Sequence, residues 1–325
     1  MTSAPTVDAV VRAAGPHVAP LMARIEERLA AAAAGHGALL AEHAGSTIAA
    51  GGKRLRPLLV LVAAGPDATG DGLVRAAAAV ELVHSATLVH DDVLDGAALR
   101  RGRPTVVATA GRDIATATGD LLFSRAFAEL AANGRPDEVR VLSTASSALA
   151  AGELLQRADA WNAAVPVARY LERCELKTAR LFAAACELGA LEAAVPAERV
   201  EALAAFGRRV GLAFQLLDDV LDVSGPVERT GKPRGADLLD GTVTLPLILG
   251  RERDPELAAL DPRAVGTPEQ AEAVCARIEA TGALDVARRR ALSMVVEAKA
   301  SLPELPGSQR EALELVADGV VDRYS

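Results

Sequence analysis

A chain of 325 residues, half of them hydrophobic and only 2% aromatic, has ample material for one large buried core. Its formal net charge of −8 excludes a broad basic face for nucleic acid, while leaving room for a local cationic pocket that takes an anionic small molecule. Cys174, Cys186 and Cys275 fall in no metal-ligand spacing, and neither a leader-like N-terminus nor a run of ~20 uncharged apolar residues stands out, so a soluble cytoplasmic protein with reduced, buried thiols and at most peripheral membrane contact is expected.

Alanine and leucine carry the best helix propensities, and alternating β-branched runs are scarce, so the expected fold is all-α. Turn-formers delimit predicted helices near 19–34, 37–50, 54–64, 72–95, 113–132, 137–158, 167–190 and 197–223, then 242–251, 268–280, 283–300 and 308–322. No long linker, repeat or low-complexity tail separates them, so residues 1–325 read as a single domain whose motifs fall between about 50 and 250.

The helix over 72–95 is small or apolar from Ala76 to Val89, with Glu81 and His84 the main exceptions, and belongs inside a bundle. It ends in Asp91-Asp92-Val93-Leu94-Asp95. The helix over 197–223 ends the same way, in Asp218-Asp219-Val220-Leu221-Asp222. Positions i and i+4 share a helix face, so Asp91 points with Asp95 and Asp218 with Asp222. Adjacent carboxylates repel unless a cation or proton lies between them. Two such ends facing each other form an oxygen-rich cavity suited to Mg²⁺, which prefers a few carboxylates plus substrate phosphate oxygens. One such triplet alone is more often a solvated helix end; two copies, each closing an apolar helix, argue against that.

Cations for a diphosphate are at hand. Gly51-Gly52-Lys53-Arg54-Leu55-Arg56-Pro57 sets Lys53 and Arg56 three apart after a flexible turn, and Arg100-Arg101-Gly102-Arg103 follows the first acid cluster closely enough to bend over it. His84 lies two turns before Asp91, and His90 suits packing better than ligand contact. Lys177, Thr178 and Gln215 sit in apolar helical runs where polar groups need partners, and Lys232 occupies a Gly-Lys-Pro turn after the second cluster.

These residues resemble the trans-isoprenyl diphosphate synthases, and among them the long-chain polyprenyl diphosphate synthases. The resemblance rests on GGKRLRP at 51–57, ELVHSATLVHDDVLD at 81–95, LRRGRPT at 99–105, GDLLF at 119–123, GELLQ at 152–156, KTARLF at 177–182, GLAFQLLDDVLDV at 211–223 and GKPRGADLLDGTVTLP at 231–246. It implies a large helical bundle of the isoprenoid synthase type with a central apolar cavity, acting as a homodimer. It further implies Mg²⁺ held by Asp91, Asp92, Asp95, Asp218, Asp219 and Asp222. Lys53, Arg56, His84 and Arg101 would contact isopentenyl diphosphate; Arg100, Lys177, Thr178, Gln215 and Lys232 would contact the allylic diphosphate, farnesyl or geranylgeranyl. The implied reaction is ionisation of the allylic C–O bond, attack by the isopentenyl double bond, and proton loss. Thr242 departs from the family pattern, standing where a lysine is usual, and Gly96-Ala97-Ala98 lacks the acid that often follows the first motif.

The growing chain is expected to run down the helix from Asp91 past Thr87, Ala86 and Val83. None of these is a bulky ring of the kind that closes the pocket early in this family, so a long-chain product is expected over geranylgeranyl diphosphate. Phe123, Phe127 or Leu149 would be the stop in the opposite case. A terpene cyclase would not need Lys53, Arg56 and Arg101, a non-catalytic partner subunit would have lost aspartates, and a di-iron bundle wants two Glu-x-x-His pairs where this chain has one.

Overall fold

The computed structural model describes residues 7–100, 102–225 and 234–322. The alanine- and leucine-rich segments form helices α1 (Val7–Ala14), α2 (Val18–Ala33), α3 (Ala38–Ala49), α4 (Leu55–Ala64) and α5 (Asp71–Asp95). A two-residue hairpin, β1 (Leu99–Arg100) against β2 (Arg103–Pro104), pairs Leu99 with Pro104 and Arg100 with Arg103. Helices α6 (Val106–Ala110), α7 (Arg112–Ala131), α8 (Pro136–Asp159) and α9 (Val167–Cys174) follow. A π turn over Glu175–Ala179 joins α9 to α10 (Arg180–Glu192), and then comes α11 (Ala197–Ser224). The remainder is α12 (Ala236–Leu239), α13 (Leu245–Arg251), α14 (Pro255–Ala259), a short 3₁₀ turn (Pro262–Ala264), α15 (Pro268–Ala280), α16 (Ala283–Ala300) and α17 (Gly307–Asp322).

Helix α5 runs through the middle, packed on α7, α4, α10 and α2, and α11 packs between α10 and α16. By length and composition α5 is long and apolar enough to cross a membrane, nearer to a span than the sequence reading allowed; 72% of its apolar window is nevertheless buried inside the fold. Helix α4 is wholly buried from Pro57 to Ala64. Its last turn would leave carbonyls without partners. Gln309 of α17 answers this, donating from Nε2 to the carbonyls of Val62 at 3.0 Å and Ala63 at 2.9 Å. The three cysteines are buried and free, as expected.

The all-α expectation holds, with local departures. Helix α1 has eight residues, too few to nucleate alone, and forms where it packs on α17. The five-residue α6 forms because the Thr105 hydroxyl accepts from the Ala108 amide at 3.1 Å, a cap that propensity alone does not reveal. The predicted helix over 167–190 is interrupted by the π turn. Helix α13 starts at Leu245 rather than 242, with Pro246 in its first turn.

Close helix approach is set by glycine. A Cβ on Gly189 of α10 would stand 2.2 Å from the Val60 carbonyl oxygen of α4, a backbone atom that cannot step aside. Gly189→Ala is therefore expected to lower stability by roughly 1–3 kcal/mol through overpacking, measured as a lower urea midpoint with the helical signal retained.

Candidate active site

The two acid clusters end up at one end of the bundle, on the last turns of α5 and α11, facing two cavities. The larger, of about 1180 Å³, is lined by Lys53, Arg56, His84, Asp92, Arg100 and Asp218, with Leu58, Leu88, Val89, Phe182 and Phe214 as apolar wall and α17 residues at its rim. The smaller, of about 350 Å³, is polar: Asp95, Lys177, Thr178, Gln215 and Asp219 line it with Arg157, Arg173, Asp237, Asp240 and Thr242. Each cavity thus receives an aspartate from both clusters.

The sequence-derived residues sort between these spaces. Lys53, Arg56 and His84 share the larger one; Lys177, Thr178 and Gln215 share the smaller. Arg100, grouped by resemblance with the second set, lines the larger cavity with the first. Asp91 and Asp222 border neither. Nor do Val83, Ala86 and Thr87: the first two are fully buried, and the Thr87 hydroxyl donates to the His84 carbonyl at 2.8 Å. Arg101 and Lys232 lie outside the described residues. His90 stacks on Phe123 with centroids 5.7 Å apart, a packing role.

Packed carboxylates demand compensation, and each cluster has it. Arg100 Nε donates to Asp92 at 2.7 Å. Arg157 of α8 donates to Asp95 and, through Nε at 2.7 Å, to Glu153, which in turn pairs with Lys177. Asp219 is 4% exposed and accepts from the Tyr170 hydroxyl at 2.6 Å and Gln215 Nε2 at 2.8 Å. The Thr178 hydroxyl donates to Gln215 Oε1 at 2.7 Å, so Thr178, Gln215 and Asp219 form one hydrogen-bonded chain. Asp222 accepts from the Asp237 amide at 3.3 Å. Burial raises the Asp219 carboxyl well above the usual aspartate range, Asp237 and Asp218 adding to the rise while Tyr170 and Gln215 oppose it. Burial also pushes Asp91 up to about 6, with Lys177 pulling it down and Glu153 and Asp95 adding to the rise.

The π turn places Lys177 and Thr178. It is wedged between two glycines: a Cβ on Gly152 would stand 2.5 Å from the Lys177 amide nitrogen, and one on Gly211 2.7 Å from the Ala179 Cα. With both neighbouring helices this close, the widened turn fits where a larger side chain would force it out. π bulges recur at functional sites for such reasons.

Sequence reasoning missed several contributors. Arg54 sits in the left-handed region (φ 47°, ψ 38°) and ties three helices together. It donates to Glu26 of α2 at 2.6 Å, to Glu81 of α5 at 2.8 Å and to the Ile48 carbonyl of α3 at 2.8 Å. These bonds fix the turn carrying Lys53 and Arg56. Glu81, the acid in an otherwise apolar run, was the available signal. Arg56 lies 4.7 Å over the Phe182 ring, which holds its guanidinium at the cavity wall. Glu153 and Arg157 reach Asp95 and Lys177 only through the packing of α8. Spacing along the chain cannot reveal them.

Comparison with known proteins identifies the family. The sequence model of the Polyprenyl synthetase family matches residues 38–280. The chain is 41% identical over 269 residues to heptaprenyl diphosphate synthase component 2 of Geobacillus stearothermophilus, covering 82% of this chain and 83% of the relative. It is 38% identical over 284 residues to the geranylgeranyl diphosphate synthase of Methanosarcina mazei, covering 84% and 86%. Among solved structures, a polyprenyl synthase from Caulobacter crescentus complexed with calcium and isoprenyl diphosphate superposes with a TM-score of 0.90 at 39% identity, over 100% of both chains. The chain belongs to the Polyprenyl synthetase family and is a trans-prenyltransferase that makes a polyprenyl diphosphate.

Proposed function

We propose that the chain condenses isopentenyl diphosphate with an allylic diphosphate using Mg²⁺, and that its product is long. The observation that carries this is the pairing of two Asp-Asp-x-x-Asp helix ends around cavities that also hold Lys53, Arg56, Lys177 and Thr178. The donor set fits a hard cation: six carboxylates, with no three His, Cys, Asp or Glu groups closed into a ready cage among the described residues. Such a set suits an ion that completes its shell with phosphate oxygens. Asp91, Asp92, Asp95, Asp218, Asp219 and Asp222 would hold it. Bound there, Mg²⁺ supplies positive charge to the diphosphate as the allylic C–O bond breaks. The Caulobacter relative, complexed with calcium and isoprenyl diphosphate, supports a divalent ion accompanying a diphosphate ligand.

Lys53, Arg56 and His84 bind the isopentenyl diphosphate in the larger cavity, and Lys177, Thr178 and Gln215 bind the allylic diphosphate in the smaller. The isopentenyl double bond attacks the allylic carbon as its diphosphate departs, and a proton is then lost. Phe182, Phe214, Leu88 and Val89 keep water from the reacting carbons. The heptaprenyl relative supports a long product; the geranylgeranyl relative marks the alternative. A cytoplasmic homodimer completes the reading and rests on family resemblance alone.

The test is incubation of the purified chain with Mg²⁺, labelled isopentenyl diphosphate and either farnesyl or geranylgeranyl diphosphate, followed by product sizing. Long prenyl products that disappear with EDTA are expected. Product that appears only when a second, different chain is added would replace this reading with that of a partner subunit.

Asp91→Asn gives a second check. A carboxyl whose folded pKa is raised to about 6 loses stability as pH climbs through that range, and the loss is complete above it. In EDTA near pH 8, Asp91→Asn should therefore gain about 1–3 kcal/mol in urea unfolding. The gain should close toward the ordinary aspartate range. Turnover with Mg²⁺ should fall on the order of a hundredfold or more.

A further inference from the structure

Arg173, on the last turn of α9, is 3% exposed. Its Nη2 donates to the Val243 carbonyl at 2.6 Å, and its guanidinium carbon lies 5.3 Å from the Tyr170 ring centroid. Its Nη1, also buried, has no hydrogen-bond partner among the described residues. An unpartnered N–H on a buried cation is costly, and folded interiors hold few such groups without a ligand to meet them. Arg173 lines the smaller cavity together with Lys177, Thr178, Gln215 and Asp219. Thr242, next to the carbonyl that Arg173 holds, offers that wall only a neutral hydroxyl.

We propose that Arg173 is an anion-binding residue of the smaller cavity, its Nη1 donating to a phosphate oxygen of the diphosphate that Lys177 and Thr178 face. The inference rests on the prenyl-transfer reading and adds a residue to it. One arm of the guanidinium fork is anchored on Val243 before any ligand arrives, so only the other arm has to turn toward an incoming oxygen. Tyr170 joins this arrangement to the second acid cluster, since the ring under Arg173 also donates its hydroxyl to Asp219. In this way one helix, α9, presents a cation to the leaving group and orients a carboxylate beside it.

The test is calorimetric titration of inorganic pyrophosphate, with Mg²⁺ present, into the full chain and its variants. Arg173→Met should weaken binding about tenfold or more, the loss of one charge-assisted hydrogen bond. In steady-state assays the KM for the allylic diphosphate should rise while that for isopentenyl diphosphate holds. Arg173→Met combined with Thr242→Lys should recover most of the affinity, since position 242 faces the same cavity. Arg173→Lys keeps the charge without the fork and should fall between wild type and Arg173→Met; it decides the matter if the methionine variant does not fold. Wild-type affinity in Arg173→Met or, failing that, an unchanged titration in Arg173→Lys overturns the assignment and leaves the prenyl-transfer reading intact. A loss that Thr242→Lys does not recover traces to the Val243 anchor and overturns the charge role. A wild-type chain that neither binds pyrophosphate nor turns over overturns both.

Discussion

Repulsion among six aspartates at one end of a helical bundle is the constraint around which the rest of this structure is arranged. Carboxylates beside an apolar core lose hydration and gain one another's repulsion, and either cost alone raises their pKa values. The fold answers with groups from other elements and, at Gln215, from the same helix. Arg100 crosses from the hairpin to Asp92, Arg157 reaches from α8 to Asp95, and Tyr170 and Gln215 hold Asp219. Asp91 has no hydrogen bond among the described residues, and burial pushes its carboxyl up to about 6. Tyr170 and Gln215 favour the charged form of Asp219 but do not offset its burial, which holds the carboxyl well above the usual aspartate range.

The same logic explains how Lys177 is stationed. It is paired with Glu153, which also holds Arg157, so a line of alternating charges runs from Asp95 through Arg157 and Glu153 to Lys177. On the prenyl-transfer proposal, a metal ion at Asp95 would compete with Arg157 for that carboxylate, and weakening one link of the line would free its neighbour to meet phosphate. The backbone beneath Lys177 is held closely: the π turn is clamped between Gly152 and Gly211.

The convergence of charged groups was legible in the sequence wherever it depended on local spacing. Both aspartate clusters, the Lys53–Arg56 pair and Lys177–Thr178 follow from helix periodicity and from polar residues stranded in apolar runs. What stayed hidden depends on tertiary approach. The π turn is invisible to a pattern read at 3.6 residues per turn, because five apolar and polar residues there continue the same composition. Arg54 looks like a surface base until its left-handed backbone turns it toward Glu26 and Glu81. Helices α1 and α6 are too short to announce themselves. The expected tunnel wall at Val83, Ala86 and Thr87 was argued from one helix face. The larger cavity instead follows the neighbouring face, through Glu81, His84, Ser85 and Leu88.

The charge balance of the smaller cavity bears on the order in which its ligands arrive. Four acids, Asp95, Asp219, Asp237 and Asp240, face three bases, Arg157, Arg173 and Lys177. Two of those bases are already engaged with carboxylates. A diphosphate entering alone would meet these carboxylates among the cations, with Arg173 the one base there not engaged in a described ion pair. A divalent ion entering alone would face Arg157 across Asp95. On the prenyl-transfer proposal, an ion arriving with the diphosphate would turn the aspartates from a barrier into ligands, while the diphosphate would meet Arg173 and compete with Glu153 for Lys177. Each partner would then cancel the charge that opposes the other, which would favour the metal-bound diphosphate over either component.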